Sequence, residues 1–196
     1  MKRFIALILS LLLCLSVSAC KTDDSASQQN VSSSECTEQE VRMLIEHNLD
    51  CYFLFYISPL TQGGGTDSDG YTKADNSYFA TYKDFSDFVK NTYTQEKSAY
   101  LLGSYPSEEN PLYIEKNDLV YVDLDAVTPV EYNINWDDSY TVEFTENSTT
   151  HCAFELTTTD FDGNEYVTNG SAAFENGKWL LEDMVYSFYY AKDNKE

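Results

Sequence analysis

Apolar residues recur three or four positions apart at Val41, Leu44, Ile45, Leu49, Tyr52, Phe55 and Tyr56, while Arg42, Glu46 and Asp50 take the opposite face. That spacing predicts an amphipathic helix. Thr37-x-x-Glu40 ahead of it is a capping box, in which hydroxyl and carboxylate satisfy each other's backbone amides. From Cys51 to Ile57 the chain is apolar all round, so this end is expected to be enclosed by the rest of the domain. Pro59 stops the helix. A second helix is predicted over 81–93, with Thr81 as its cap, Asp84 favouring its N-terminus, and Tyr82, Phe85, Phe88 and Val89 as its buried stripe. Thr94 caps a third, short one.

Beyond Pro106 the period changes to two. "LYIE" and "LVYVD" flank Lys116-Asn117-Asp118, a hairpin signal, and further strands read "EYNINW", "SYTVEFT", "HCAFELTT", "YVTNGSAAFE" and "KWLLEDMVY". Asn176-Gly177 is a type I′ turn pair, and Asp162-Gly163 marks the turn before it. Helices followed by a strand meander predict an α+β fold, with N-terminal helices packed on a curved, cone-like antiparallel sheet.

The first twenty residues, "MKRFIALILSLLLCLSVSAC", differ in kind. A basic start, an apolar run and Val17-Ser18-Ala19 before Cys20 make a secretory signal over 1–19, too short for a spanning helix. The position of Cys20 resembles the bacterial lipobox, which implies a diacylated cysteine and an extracytoplasmic protein anchored to the cell membrane by lipid. Residues 20–35 continue as a serine-rich polar tether, and 36–196 is of ordinary size for a single domain.

The formal net charge is −21, and loss of Lys2 and Arg3 with the signal makes the mature chain more acidic still. Such a surface repels nucleic acid and anionic headgroups, and steers basic partners toward it. Once Cys14 leaves and Cys20 carries lipid, Cys36, Cys51 and Cys152 remain. They allow one intramolecular disulfide in any of three pairings, and folding is expected to need none. Cys51 and Cys152 lie in apolar segments, as small buried hydrophobes do.

Neither histidine sits in a catalytic motif. His47 and Cys51 share a helix flank, but no orienting group or oxyanion site accompanies them. His151 and Cys152 are adjacent on a strand and point to opposite faces. No cofactor motif or metal-ligand spacing is present. "DSDG" at 67–70 and "DFDG" at 160–163 have glycine at the fourth position, not the sixth that an EF-hand loop requires, and read as turns. Gly63-Gly64-Gly65 likewise belongs to no phosphate-binding pattern. The stretch from 60 to about 77 is instead expected to be a mobile loop, with Gly63, Gly64, Gly65, Asp67, Asp69 and Tyr71 as candidate partner-binding residues.

An aromatic helix end ("CYFLFYI"), a Gly-Gly-Gly loop, "YFATYKDFSDFVKNTYTQEKSAYLL" and then "PLYIEKNDLVYV" follow one another over 41–123. This order resembles the IseA-type inhibitors of cell-wall D,L-endopeptidases. Asn117-Asp118 departs from the glycine often found in that family's hairpin. The later strands, ending "FENGKWLLEDMVY", resemble nuclear-transport-factor-like or cystatin-like domains as well. The resemblance implies a noncatalytic domain that binds papain-like peptidoglycan endopeptidases and restrains wall hydrolysis. A small-ligand carrier is the alternative, with an apolar pocket lined by Trp136, Phe144 and Phe154.

Overall fold

The computed structural model describes residues 34–60, 65–74, 78–126, 130, 132–136 and 139–186, all within one compact unit, Ser32–Glu196. The predicted signal peptide, Cys20, nearly all of the tether, Gly63 and Gly64 lie outside the described residues.

Helix α1 spans Glu38–Tyr52 and begins at the capping box expected of it: Thr37 Oγ1 accepts from the Glu40 amide, and the Glu40 carboxylate accepts from the Thr37 amide. Val41, Leu44, Ile45, Cys51 and Tyr52 are buried, and Asn48 completes the same stripe. Helix α2 spans Tyr82–Thr92 behind a second capping box, formed by Thr81 and Asp84; helix α3, Gln95–Gly103, starts at Thr94.

The strands divide between two sheets, where a single curved sheet was expected. Strands β1 (Thr72–Lys73), β2 (Tyr113–Lys116) and β3 (Leu119–Val122) form the smaller, in the order β1-β3-β2. Strands β4 (Ile134–Asn135), β5 (Thr141–Asn147), β6 (His151–Asp160), β7 (Glu165–Glu175) and β8 (Lys178–Leu181) form the larger. In this second sheet β5 to β8 are the predicted meander, and β4 extends the β5 edge by pairing with the far end of β6. All of these strand pairs are antiparallel. The hairpins turn at Asn117-Asp118 and Asn176-Gly177, each with both central residues at positive φ, the type I′ geometry that matches strand twist.

Helices link the two sheets: α2 packs on both β3 and β8, α1 on β8, and α3 on β2. The fold is α+β. One apolar core joins α1, α2 and both sheets, with Tyr52, Phe55, Phe85, Tyr93, Tyr113 and Phe154 among its enclosed rings. Gly170 on β7 lies directly across from Phe154 on β6, and a Cβ there would meet that ring at 2.4 Å. A backbone without a side chain lets the ring lie flat across the strand.

Asn48 fixes the chain's return to α1. Its side-chain amide donates to the Val185 carbonyl (2.7 Å), and its carbonyl accepts from the Val185 amide (2.9 Å) and the Tyr93 hydroxyl (2.9 Å). A buried polar side chain is tolerated when its hydrogen bonds are met in this way.

Candidate functional site

The far end of α1 is built differently. From Phe53 to Ile57 the helix widens to a π-helix, closed by the Ser58 amide on the Phe53 carbonyl at 2.8 Å. Tyr113 of β2 supports this turn from inside: its hydroxyl donates to the Leu54 carbonyl at 2.7 Å and accepts from the Leu60 amide at 3.1 Å. Desolvation pushes the Tyr113 phenol well up, so it stays a donor. The wide turn sends Leu54 and Phe55 into the core and leaves Phe53 38 % exposed. Single-turn π segments interrupt helices frequently at functional sites.

Beside this turn lies a cavity of about 690 Å³, lined by Asp50, Phe53, Leu54, Ser58, Pro59, Leu60, Tyr78, Phe79 and Phe88. Its aromatic wall is propped from behind. Phe79 packs on Phe85 at 5.4 Å and on Phe88 at 5.5 Å, and Phe53 leans on Tyr132 at 4.9 Å. Tyr78 stands 77 % exposed at the mouth. Partial desolvation raises the Asp50 carboxyl above its ordinary range, opposed by His47. The cavity thus offers two exposed rings, Phe53 and Tyr78, beside half-buried Phe79 and Phe88, with one carboxylate at the rim.

The glycine stretch has a more ordered neighbour than a mobile loop. Gly65 is exposed, with open space around its Cα. Beyond it, Asp67 organises a tight turn: its carboxylate accepts from the Asp69 amide (2.9 Å) and the Tyr71 amide (3.1 Å), and Gly70 takes φ +89°. Lys116 of β2 closes the turn with ion pairs to Asp67 (2.5 Å) and Asp69 (2.9 Å), which hold the Asp67 carboxyl below its ordinary range. Tyr71 is only 8 % exposed and donates to the Pro111 carbonyl at 2.9 Å. The expected free contact area of Tyr71 is therefore spent inside the fold, and the two acids face a lysine that lies far away in sequence. Residues 72–73 are already strand β1, paired with β3.

The rings proposed for a carrier pocket lie elsewhere. Phe144 and Phe154 are direct partners across β5 and β6, and Phe154 fills the space over Gly170. Trp136 meets Tyr140 and Tyr166 edge-on, at 5.5 and 6.3 Å. None of the three borders the aromatic cavity.

Cys51 is fully buried, and desolvation raises its thiol to about 12. A thiol so far from ionised is a poor nucleophile at neutral pH. His47 is exposed and lies edge-on to Phe88 at 5.9 Å. His151 bridges Glu146 (3.3 Å) and Glu182 (3.1 Å), while its neighbour Cys152 points into the core. In "DFDG", Asp160 accepts from the Asp162 and Asn164 amides, which is turn chemistry. Among the described residues, no group of three or more His, Cys, Asp or Glu is placed to hold a metal ion, and no helix is long and apolar enough to cross a membrane.

Phe88, expected in the buried stripe of α2, is half-buried and lines the cavity, and the helical pattern does not mark Phe53, Tyr78 or Phe79. The one available signal was the density of rings in "CYFLFYI" and "YFATY" on either side of the glycines. Neither models of known protein families nor curated proteins match this sequence.

Proposed function

We propose that this chain is a lipid-anchored protein of the bacterial cell surface whose domain binds another protein and is not itself a catalyst. The observation that carries the reading is the aromatic cavity, where exposed Phe53 and Tyr78 stand beside half-buried Phe79 and Phe88, and Phe79 packs on buried Phe85. Rigid aromatic side chains give large contact area for little lost entropy, and residues of this kind dominate binding energies. The acidic chain favours a partner with a basic rim, because charge complementarity speeds encounter.

The family resemblance over 41–123 directs the choice of partner to the catalytic domains of papain-like D,L-endopeptidases. A partner side chain or loop would enter the cavity against Phe53, Phe79 and Phe88, with Tyr78 closing over it and Asp50 meeting a cation or an amide. Anchoring through Cys20 would hold the domain in the membrane–wall space where such peptidases act. The test is direct binding of the soluble domain to each such peptidase of the host, with hydrolysis of a peptidoglycan fragment measured alongside. The proposal predicts binding and loss of hydrolysis, both weakened at least about tenfold in Phe53→Ala,Tyr78→Ala.

A carrier role is the second reading. It is favoured by the cavity volume, about 690 Å³, which lies within the roughly 300–1,000 Å³ of small-ligand sites. An apolar fluorescent probe that binds the wild type and is not displaced by any peptidase would support it.

A further inference from the structure

Cys36 sits just before the Thr37 cap of α1, and Asn147 ends β5; the side chain of Asn147 grips both backbone groups of Cys36. Its oxygen accepts from the Cys36 amide at 3.0 Å, and its nitrogen donates to the Cys36 carbonyl at 2.8 Å. Asn147 is in turn the direct register partner of Cys152 on β6. Directly opposed residues of an antiparallel pair project from the same face, with Cβ atoms about 5 Å apart. The grip therefore delivers Cys36 to Cys152, and the two side chains lie within interaction range of each other. On the other flank Cys152 faces Ala172, too small to separate the sulfurs. Both cysteines are enclosed, at 3 % and 0 % exposure, in the same core. Cys51 instead interacts with Thr92 and Tyr93 of the α2 end.

We propose that Cys36 and Cys152 are a built disulfide site, held here as two thiols, and that oxidation staples the entry of the domain to its larger sheet. Of the three possible pairings, the geometry selects this one. The oxidant is a disulfide, either that of a thiol–disulfide oxidoreductase or a small-molecule disulfide, meeting the chain before the core closes. The Cys152 thiolate attacks one sulfur of that donor and forms a mixed disulfide; the first donor sulfur leaves as a thiolate and takes up a proton. The Cys36 thiolate then attacks the Cys152 sulfur, the protein disulfide forms, and the second donor sulfur leaves as a thiol. Two protein thiols are oxidised and one donor disulfide is reduced to two thiols. Before the core closes both thiols are open to solvent, so either can make the first attack and the balance is the same. In an anchored protein, tension arriving along the residues before Cys36 would pass into β6 and not into the first turn of α1. That consequence rests on the proposed lipid anchor; the bond itself does not.

The test unfolds the full-length chain in denaturant and refolds it into detergent in the presence of mixed reduced and oxidised glutathione. Free thiols are then alkylated and the digest is mapped by mass spectrometry. The expected result is one intramolecular Cys36–Cys152 linked peptide, a loss of two hydrogens, and Cys51 alkylated only after unfolding. The long loop closed should make the unfolding temperature fall by roughly 10 °C on reduction. That fall should vanish in Cys36→Ala and Cys152→Ala and persist in Cys51→Ala. Removing a buried thiol can itself loosen the core, so the wild-type peptide map decides. A linkage through Cys51, linkage only between chains, or full alkylation of Cys36 and Cys152 after oxidation would overturn the proposal.

Discussion

The two ends of the first helix use the same run of apolar positions to opposite effect. At the N-terminal end, polar side chains of the helix are paired. Thr37 and Glu40 cap each other, and Arg42 reaches Glu38, the Tyr140 carbonyl and the Tyr140 ring. Further along, Asn48 makes three buried hydrogen bonds. At the other end the backbone widens, one hydroxyl from Tyr113 holds the turn, and rings face an open cavity. Saturated hydrogen bonding defines one conformation but leaves nothing to offer a partner. Exposed rings on a rigid support contribute less to folding and more to association.

If that contrast holds, the largest effect on stability should come from Asn48→Leu. It leaves the Val185 amide and carbonyl and the Tyr93 hydroxyl buried without their partner, a loss of about 3 kcal/mol. Urea unfolding should show a lower midpoint with an unchanged slope. A change below about 1 kcal/mol would mean that the carboxy-terminal segment is held by packing alone. Tyr113→Phe comes next, at about 1–2 kcal/mol, because it removes the hydroxyl that bonds the Leu54 carbonyl and the Leu60 amide. Hydrogen exchange at the Ser58 amide should accelerate selectively, while amides near Asn48 keep their protection.

Titration gives two smaller tests. The Asp67 carboxyl is held below its ordinary 3.8 chiefly by Lys116, aided by the Tyr71 and Asp69 amides. A depressed carboxyl stabilises the fold above its unfolded value and loses that contribution as pH falls through the folded one. An NMR titration of Asp67 should therefore have its midpoint below 3.8 and move back up in Lys116→Met. Burial lowers the His151 value, but Glu146 and Glu182 together outweigh it and leave the imidazole above its ordinary 6.5. A raised histidine contributes fully below its unfolded value, and the contribution is lost as pH rises through the folded one. The smallest expected effect is a slight stability loss across that window, starting near 6.5, that disappears in His151→Gln.

What could be read from the sequence follows from the range of each interaction. The Thr37–Glu40 box, the Thr94 cap and the Asn176-Gly177 turn are settled within four residues, so local chemistry was enough to place them. The Thr81–Asp84 box was half legible, since aspartate at the third helical position is a shorter variant of the usual glutamate. The π turn was illegible because a stretch apolar on all sides carries no information about the period that winds it. The division into two sheets depends on which strands pair, and the β2–β3 hairpin takes as its third strand β1, two residues hidden in what looked like loop, and no strand of the meander. Asn48 with Val185, Lys116 with Asp67, and Cys36 with Cys152 are all contacts between distant segments. Only the folded chain brings those partners together, and the aromatic cavity is of the same kind: its rings come from three stretches of sequence.

The central claim is that the open end of the first helix is a protein-binding site. Isothermal titration of the soluble domain into each purified D,L-endopeptidase catalytic domain, with wild type beside Phe53→Ala,Tyr78→Ala, tests it most directly. The account predicts that the wild type binds at least one of them and that the double variant binds at least tenfold more weakly, a loss of about 1.4 kcal/mol or more. It also predicts an unfolding midpoint shifted by less than about 1 kcal/mol, as expected for exposed side chains. A wild type that binds none of them, or a double variant that binds as tightly as the wild type, would contradict it.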